Sequence, residues 1–317
     1  MGGAESWQAW RMAGGADARR SDVLARLVSL RQHRRGGQRS PHKPLLILLA
    51  LGRVASAGSS ELPWSAAEAA LADLIAEFGP GTGTGRAQSA AYPFTRLRAD
   101  GIWVLDRDVP MDLIRPLAGQ PVTGRFEESV ETALRADPSL VFQAARDLVL
   151  GNFPETLVPD VLEAVGLDPD AVLGAGDAIS GAHGAGRRRD PRWRSAVLQA
   201  WDRQCAFCGY DGQLAGASAG IDAAHVRWFS FDGPDDLDNG LALCVLHHKL
   251  FDLGVLGLDT AMRVLVSAVF TARTSAGQSV YELHGRQLAP RPGTIIPAAS
   301  HVSWHSREVF KGRPLTT

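Results

Sequence analysis

The run Ile221-Asp-Ala-Ala-His225-Val226, followed by Asp238-Asn239-Gly240-Leu-Ala-Leu-Cys244-Val-Leu-His247-His248-Lys-Leu-Phe251-Asp252-Leu-Gly254, decides how the C-terminal half folds. Ile221 to Val226 is an apolar run of strand length. The stretch after Asn239 leads a second apolar run into Cys244. Leu246 to Asp252 reads as a helix stopped at Gly254. Strand, loop, strand and helix make a ββα unit, with His225, Asn239 and His248 placed along it in that order.

Upstream lies Cys205-Ala-Phe-Cys208, so all three cysteines fall in x-x-spaced pairs, the second being Cys244-Val-Leu-His247. Two such half-sites can hold one tetrahedral zinc through three thiolates and one imidazole. The competing account makes the cysteines small buried apolar residues, and it leaves the paired spacing unexplained. His248 is an alternative to His247 as fourth ligand; only one serves, because adjacent side chains diverge. The zinc is expected to clamp the ββα unit structurally.

Cleaving a phosphodiester needs a base to deprotonate water and a cation for the leaving oxygen. A strand histidine and a helix histidine can supply these roles, with Asn239 bridging the loop. A histidine base needs a partner to fix its tautomer. The segment Asp222-Ala-Ala-His225-Val, Asn239-Gly-Leu-Ala-Leu and Leu246-His-His248-Lys-Leu-Phe251-Asp252-Leu-Gly254 resembles the HNH endonuclease family. The resemblance implies that His225 is the general base, His248 a ligand of a catalytic divalent cation (Mg or Mn), and Asn239 the residue that positions loop and base. One departure stands out. Many family members carry an acid or a second histidine directly before the base, where this chain has Ala224. Asp222 is expected to take over as ligand, with Asp252 the other candidate; the bland reading of each is a cap or a solvated acid.

Length and composition fit this reading. The chain has 317 residues, 45% hydrophobic, enough for two domains. No apolar run approaches the ~18–20 residues of a membrane span, and the N-terminus lacks the apolar core of a signal peptide. With three cysteines at metal-like spacing, a cytoplasmic protein with no membrane partner is expected. The net charge of −1 is not that of a strongly basic nucleic-acid binder, but the charge is unevenly spread. Arg31, Arg34, Arg35, Arg39 and Lys43 fall in one acid-free stretch, and Arg187, Arg188, Arg189, Arg192 and Arg194 fall in another stretch against a single Asp190. Each cluster is either a polyanion-binding surface or a solvated face.

The N-terminal half reads as helices over 22–30, 45–54, 65–78, 127–135, 140–150 and 159–165, with one or two short strands between Tyr92 and Leu105. Residues 167–189 are small and glycine-rich, a linker composition. The expected organisation is an N-terminal extension (1–20), a mainly helical DNA-reading domain with a small β element (21–166), a linker (167–189) and a ββα-metal nuclease domain with a zinc knuckle (190–317): an α+β chain.

Arg39-Ser-Pro-His42-Lys43-Pro44, Tyr92-Pro93-Phe94-Thr-Arg96 and Gly151-Asn-Phe153-Pro resemble the sulfur-binding domains of restriction enzymes that attack phosphorothioate-modified DNA. The resemblance implies double-stranded, phosphorothioated DNA as partner, with Tyr92 and Pro93 lining a sulfur pocket. The chemistry agrees. Sulfur is larger, softer and a poorer acceptor than oxygen, so a selective site offers an apolar dent ringed by cations rather than a donor. Phe94, His42, Lys43 and Arg96 can supply wall and charge, Arg39 a base contact, and Arg125 a phosphate or pocket contact. Without the resemblance, Tyr92-Pro93-Phe94 is a core turn. An HNH nuclease reading methylated DNA, and a DNA-binding module with a non-catalytic HNH fold, are the alternatives. One active site per chain suggests a homodimer for duplex cutting.

Overall fold

The computed structural model describes residues 20–31, 34–35, 38–79, 85–174, 190–288 and 290–316. Its contacts divide the chain into two units, one of residues 1–75, 84–152 and 159–182, the other of residues 76–83, 153–158 and 183–317. The expected α+β composition is observed in both.

The first unit comprises helix α1 (residues 20–28), a two-strand hairpin β1 (Arg34–Arg35) and β2 (Gln38–Arg39), α2 (His42–Ala57), β3 (Leu62–Pro63), α3 (Trp64–Phe78), α4 (Arg86–Arg96), β4 (Trp103–Leu105), α5 (Ile114–Ala118), β5 (Thr123–Phe126), α6 (Glu128–Ala136), α7 (Pro138–Asn152), α8 (Val158–Ala164) and α9 (Pro169–Gly174). Helix α2 is central. Pro44 lies in its first turn, where a missing N–H costs nothing, and Leu45, Leu46, Ile47, Leu48, Ala50 and Leu51 are fully buried. Apolar residues on every side mark a helix packed all round, here against α4, α6 and α7. The antiparallel sheet runs β3-β5-β4, with Trp103 opposite Phe126. An aromatic row crosses it, Trp64–Phe94–Trp103–Phe126, with ring centroids 5.1, 5.9 and 5.9 Å apart.

Two expectations change here. Tyr92-Pro93-Phe94 is neither turn nor strand but part of α4, with Pro93 inside the helix. Insertion of Phe94 between Trp64 and Trp103 holds this segment helical despite the N–H that Pro93 lacks. The linker expected from residue 167 opens instead with α9, whose Val172 is fully buried and which packs on α7. The rest of that linker, the N-terminal extension up to residue 19, and Arg187 to Arg189 lie outside the described residues.

The second unit contains α10 (Pro191–Ala200), β6 (Gln213–Leu214), β7 (Ala217–Ser218), β8 (Ile221–His225), β9 (Gly240–Cys244), α11 (Val245–Asp252), β10 (Leu256–Leu258), β11 (Val264–Val266), α12 (Ser275–Gln278) and α13 (Ala299–Glu308). Helix α10 starts as its sequence dictates: Asp190 caps it by accepting from the Arg192 N–H, and Pro191 follows at the first helical position. Strands β8 and β9 pair antiparallel from Ile221–Cys244 to His225–Gly240. Trp193, Val197, Trp201, Ile221, Leu241, Leu243 and Phe251 join α10, the hairpin and α11 in one core. Among the described residues, no helix is long and apolar enough to cross a membrane.

Candidate active site and metal cluster

His225 ends β8 at the mouth of the 226–239 loop. Its Nε2 lies 2.8 Å from Asp235 Oδ1, and its ring stacks on Trp193 with centroids 3.7 Å apart and planes 16° apart. The stack depends on the residue opposite: a Cβ at Gly240 would stand 2.5 Å from Val197 and 3.3 Å from the Trp193 ring. Glycine at 240 therefore lets α10 close onto the hairpin. Asp235 is also fixed at its second oxygen, Oδ2, by the Asp190 N–H at 2.8 Å.

Asn239 is fully buried. Its Oδ1 accepts from the Arg227 N–H at 2.8 Å, and its Nδ2 donates to the carbonyls of Arg227 and Pro234 at 3.0 and 2.9 Å. Asn239 thus ties the two ends of the loop together. These side-chain hydrogen bonds all go to the backbone, so its hold on His225 passes through the loop, and Asp235 is a direct partner of the imidazole. Neither Asp235 nor Trp193 was singled out in the sequence. Asp235 is one of four acids between 232 and 238, and nothing in their spacing marks which one turns inward.

Helix α11 packs on both strands of the hairpin, and Trp228, just past β8, donates from Nε1 to Asp252 Oδ1 at 2.9 Å. Asp252 is almost completely buried. It also accepts from the Thr156 hydroxyl, and its Oδ2 lies 3.3 Å from His248 Nε2. Burial holds its carboxyl above the ordinary range, against the opposing pull of His248 and its hydrogen bonds. Asp252 is therefore a carboxylate spent on internal partners that orients His248, rather than an open ligand. Lys249 donates to the Thr156 carbonyl from the same helix. Asp222 is paired with Arg194, 3.2 Å away, and strand alternation sets it on the opposite face of β8 from His225.

Cys205, Cys208, Cys244 and His247 present ligand atoms all within 4.8 Å of one another. His247 Nδ1 lies 3.5 Å from the Cys205 Sγ and 3.3 Å from the Cys244 Sγ. Of the two adjacent histidines, His247 joins the thiols and His248 turns to Asp252. The cluster can hold one metal ion: tetrahedral thiolate ligands stand about 3.8 Å apart around a zinc-sized ion. Burial pulls the His247 imidazole down, but its contacts with Cys205 and Cys244 outweigh this and push it up to about 9, so the thiols gather round a positive charge. Hydrogen bonds from Cys208 and Cys244 hold the Cys205 thiol far below its ordinary range, and the same contacts push Cys208 up. The coupled group thus favours a thiolate. Among the described residues no other group of three or more His, Cys, Asp or Glu side chains converges in this way; His248 and Asp222 belong to none.

In the first unit the candidate DNA-facing residues separate. Phe94 is fully buried in the aromatic row, so it is core and lines no surface dent. Lys43 is turned inward: it pairs with the nearly inaccessible Asp100 and donates to the Arg31 carbonyl at 2.8 Å, so its charge is spent internally. Burial pushes His42 down to about 4; it is neutral at pH 7 and contributes no cation. Its Nε2 is buried without a hydrogen-bond partner among the described residues. Pro93 is buried within α4. Tyr92 remains half-buried beneath the Arg96 guanidinium, 4.8 Å from its ring centroid, and Arg96 is gripped by Asp112 at 2.6 and 2.5 Å. Arg125, on β5, is partly exposed and 3.7 Å from Glu131. Arg39 pairs with Arg34 in the β1–β2 hairpin; its side chain lies outside the described ones.

Two family models match the chain. A ScoMcrA-like DNA sulfur-binding domain covers residues 20–170, and an HNH endonuclease domain covers residues 205–259. The chain joins a DNA sulfur-binding domain to an HNH endonuclease domain. The sulfur-binding domain holds Tyr92, Arg96 and Arg125, and the HNH domain holds the metal cluster, His225, Asn239 and His248. The expected DNA endonuclease of the HNH class is thereby borne out as a family. No curated protein matches the chain. Similar solved structures include the sulfur-binding domain of ScoMcrA complexed with phosphorothioated DNA (24% identity, 45% of this chain and 97% of that one, TM-score 0.39). They also include the type IV phosphorothioation-dependent restriction endonuclease ScoMcrA (16%, 72% and 93%, TM-score 0.38) and the sulfur-binding domain of SprMcrA complexed with phosphorothioated DNA (22%, 51% and 96%, TM-score 0.33). At these TM-scores the likenesses add nothing to the two domain matches.

Proposed function

We propose that the chain is a modification-dependent restriction endonuclease that recognises phosphorothioated DNA and hydrolyses phosphodiester bonds near the modified site. The observation that carries this reading is the presence, in one chain, of a sulfur-binding domain match and an HNH match. In the reaction, His225 takes a proton from water while the water oxygen bonds to phosphorus and the bond to the leaving oxygen breaks. A divalent cation, Mg or Mn, supplies charge stabilisation at the leaving oxygen when bound. His248, held by Asp252, is its proposed ligand; Asp222, paired with Arg194, would have to exchange that partner to join it. The Cys205, Cys208, Cys244 and His247 cluster suits zinc by donor type and plays a structural part. Tyr92 and Arg96 are the proposed wall and cation of the sulfur site, with Arg39 and Arg125 as further DNA contacts.

The test uses the full chain and one duplex made with and without a phosphorothioate linkage, incubated with Mg²⁺ or Mn²⁺. Cutting of the modified duplex alone is expected. Equal cutting of both would overturn the dependence on sulfur, and no cutting of either the nuclease reading itself.

A further inference from the structure

We infer that Asp235 is the positioning residue of the His225 base: a carboxylate that fixes the tautomer of the imidazole and stabilises the imidazolium formed when it takes a proton. The inference rests on the nuclease reading above. Three contacts define the device. The Asp235 Oδ1 lies 2.8 Å from His225 Nε2. Its Oδ2 is held by the Asp190 N–H, the residue that caps α10. From the same helix Trp193 lies flat on the imidazole, and its own Nε1 is anchored to the Asp236 carbonyl at 3.0 Å. The ring can therefore neither flip nor swing without breaking a hydrogen bond at one edge and a stack on one face. Both members of the pair are largely buried, with side-chain exposures of 7% and 14%. A buried carboxylate keeps more of its electrostatic effect than an exposed one.

The chemistry follows. In the neutral imidazole only one nitrogen carries a proton. Asp235 accepts that proton's hydrogen bond at Nε2, so the proton from water goes to Nδ1. The imidazolium then sits against a carboxylate, which favours its charged form. Of the other charged groups on the elements packed against β8, Asp222 and Arg194 pair with each other, His248 pairs with Asp252, Lys249 reaches the Thr156 carbonyl, His247 is in the metal cluster, and Arg192 of α10 is exposed. Asp190 faces Asp235 through its backbone N–H, its side chain capping α10. Strand β9 offers only Cys244, which is in the metal cluster.

The experiment compares wild type, Asp235→Asn and Asp235→Glu as full chains. Imidazole titration by NMR, assigned with His225→Ala, gives a readout that does not require cutting. In Asp235→Asn the His225 midpoint should fall by about one pH unit or more, because the opposing charge is gone. Cleavage should drop by about 10²-fold near neutral pH, with the rising limb of the pH–rate profile displaced to lower pH by the same interval. Asp235→Glu should restore the wild-type midpoint and part of the rate. A midpoint that stays at its wild-type value in Asp235→Asn overturns the pairing. Should that variant fail to fold, a Glu variant that is folded yet titrates as if no carboxylate were near overturns it equally. A wild-type chain that cuts no duplex while the midpoint still shifts in Asp235→Asn defeats the nuclease reading and leaves the pairing standing.

Discussion

At the scale of single residues, His225 and His248 divide the labour. His225→Ala should lower cleavage by about 10²–10⁴-fold and leave duplex binding unchanged, as measured by gel shift beside single-turnover cutting. His248→Ala should also lower cleavage, and more divalent cation should restore part of it, which is the mark of a lost ligand. A second residue-scale outcome concerns acid. Burial drives His305 down to about 3 and His42 down to about 4, from an ordinary 6.5. Both stay neutral when folded and charge when unfolded. The unfolded chain therefore binds more protons between those values and 6.5, so stability is complete above about pH 6.5 and falls as pH drops toward 4. His305 packs flat on Phe251, with centroids 3.7 Å apart, and its Nε2 lies 3.0 Å from the Phe251 carbonyl. Urea melts at pH 7.5 and pH 5 should show the loss, and His305→Leu should reduce the difference between them.

At the scale of elements, the 226–239 loop and the metal cluster are the two clamps on the ββα unit. Asn239→Ala strands the Arg227 N–H and two carbonyls, at about 1–3 kcal/mol for each group left buried and unpaired. Thermal melting should fall, and cleavage should fall further than stability does, because the same loop carries Asp235. The cluster joins the 205–208 turn to β9 and α11. Metal analysis should find about one tightly held zinc per chain, and Cys208→Ser or chelation should melt the HNH domain before the sulfur-binding domain. A metal-free chain with one cooperative, undisturbed C-terminal transition would contradict this.

At the scale of the whole molecule, the two domain matches predict separable tasks. A fragment of residues 1–182 should bind the phosphorothioate duplex more tightly than the plain one; it runs past α9 because Val172 is part of that core. Tyr92→Ala should erase the preference, whereas Arg125→Ala should weaken both duplexes and lower the salt slope by about one unit. Lys43→Ala should instead lower stability, since it leaves the buried Asp100 carboxylate with the Arg31 N–H but without its cation. A gel-shift salt series separates these outcomes. Equal binding of both duplexes by the fragment would remove the sulfur reading.

The sequence by itself determined the ββα order, the paired cysteine spacing and the His-Asn-His series, because these depend on local periodicity and short spacings that the backbone must obey. It also determined the start of α10 and the burial of α2, through Asp190-Pro191 and an unbroken apolar run after Pro44. Only the tertiary structure decided which histidine joins the thiols, since His247 and His248 differ by one step around α11 and its rotation is fixed by the burial of its Phe251 in the core and by the hydrogen bond from Trp228 to its Asp252. Likewise it decided that Asp235, among the four acids of its loop, meets His225, that Asp252 is a buried brace, and that Lys43 and Phe94 face inward. Each of these depends on a partner distant in the chain, such as Trp193, Thr156, Asp100 or Trp64, and a linear pattern does not record which distant group fills the space a side chain points into.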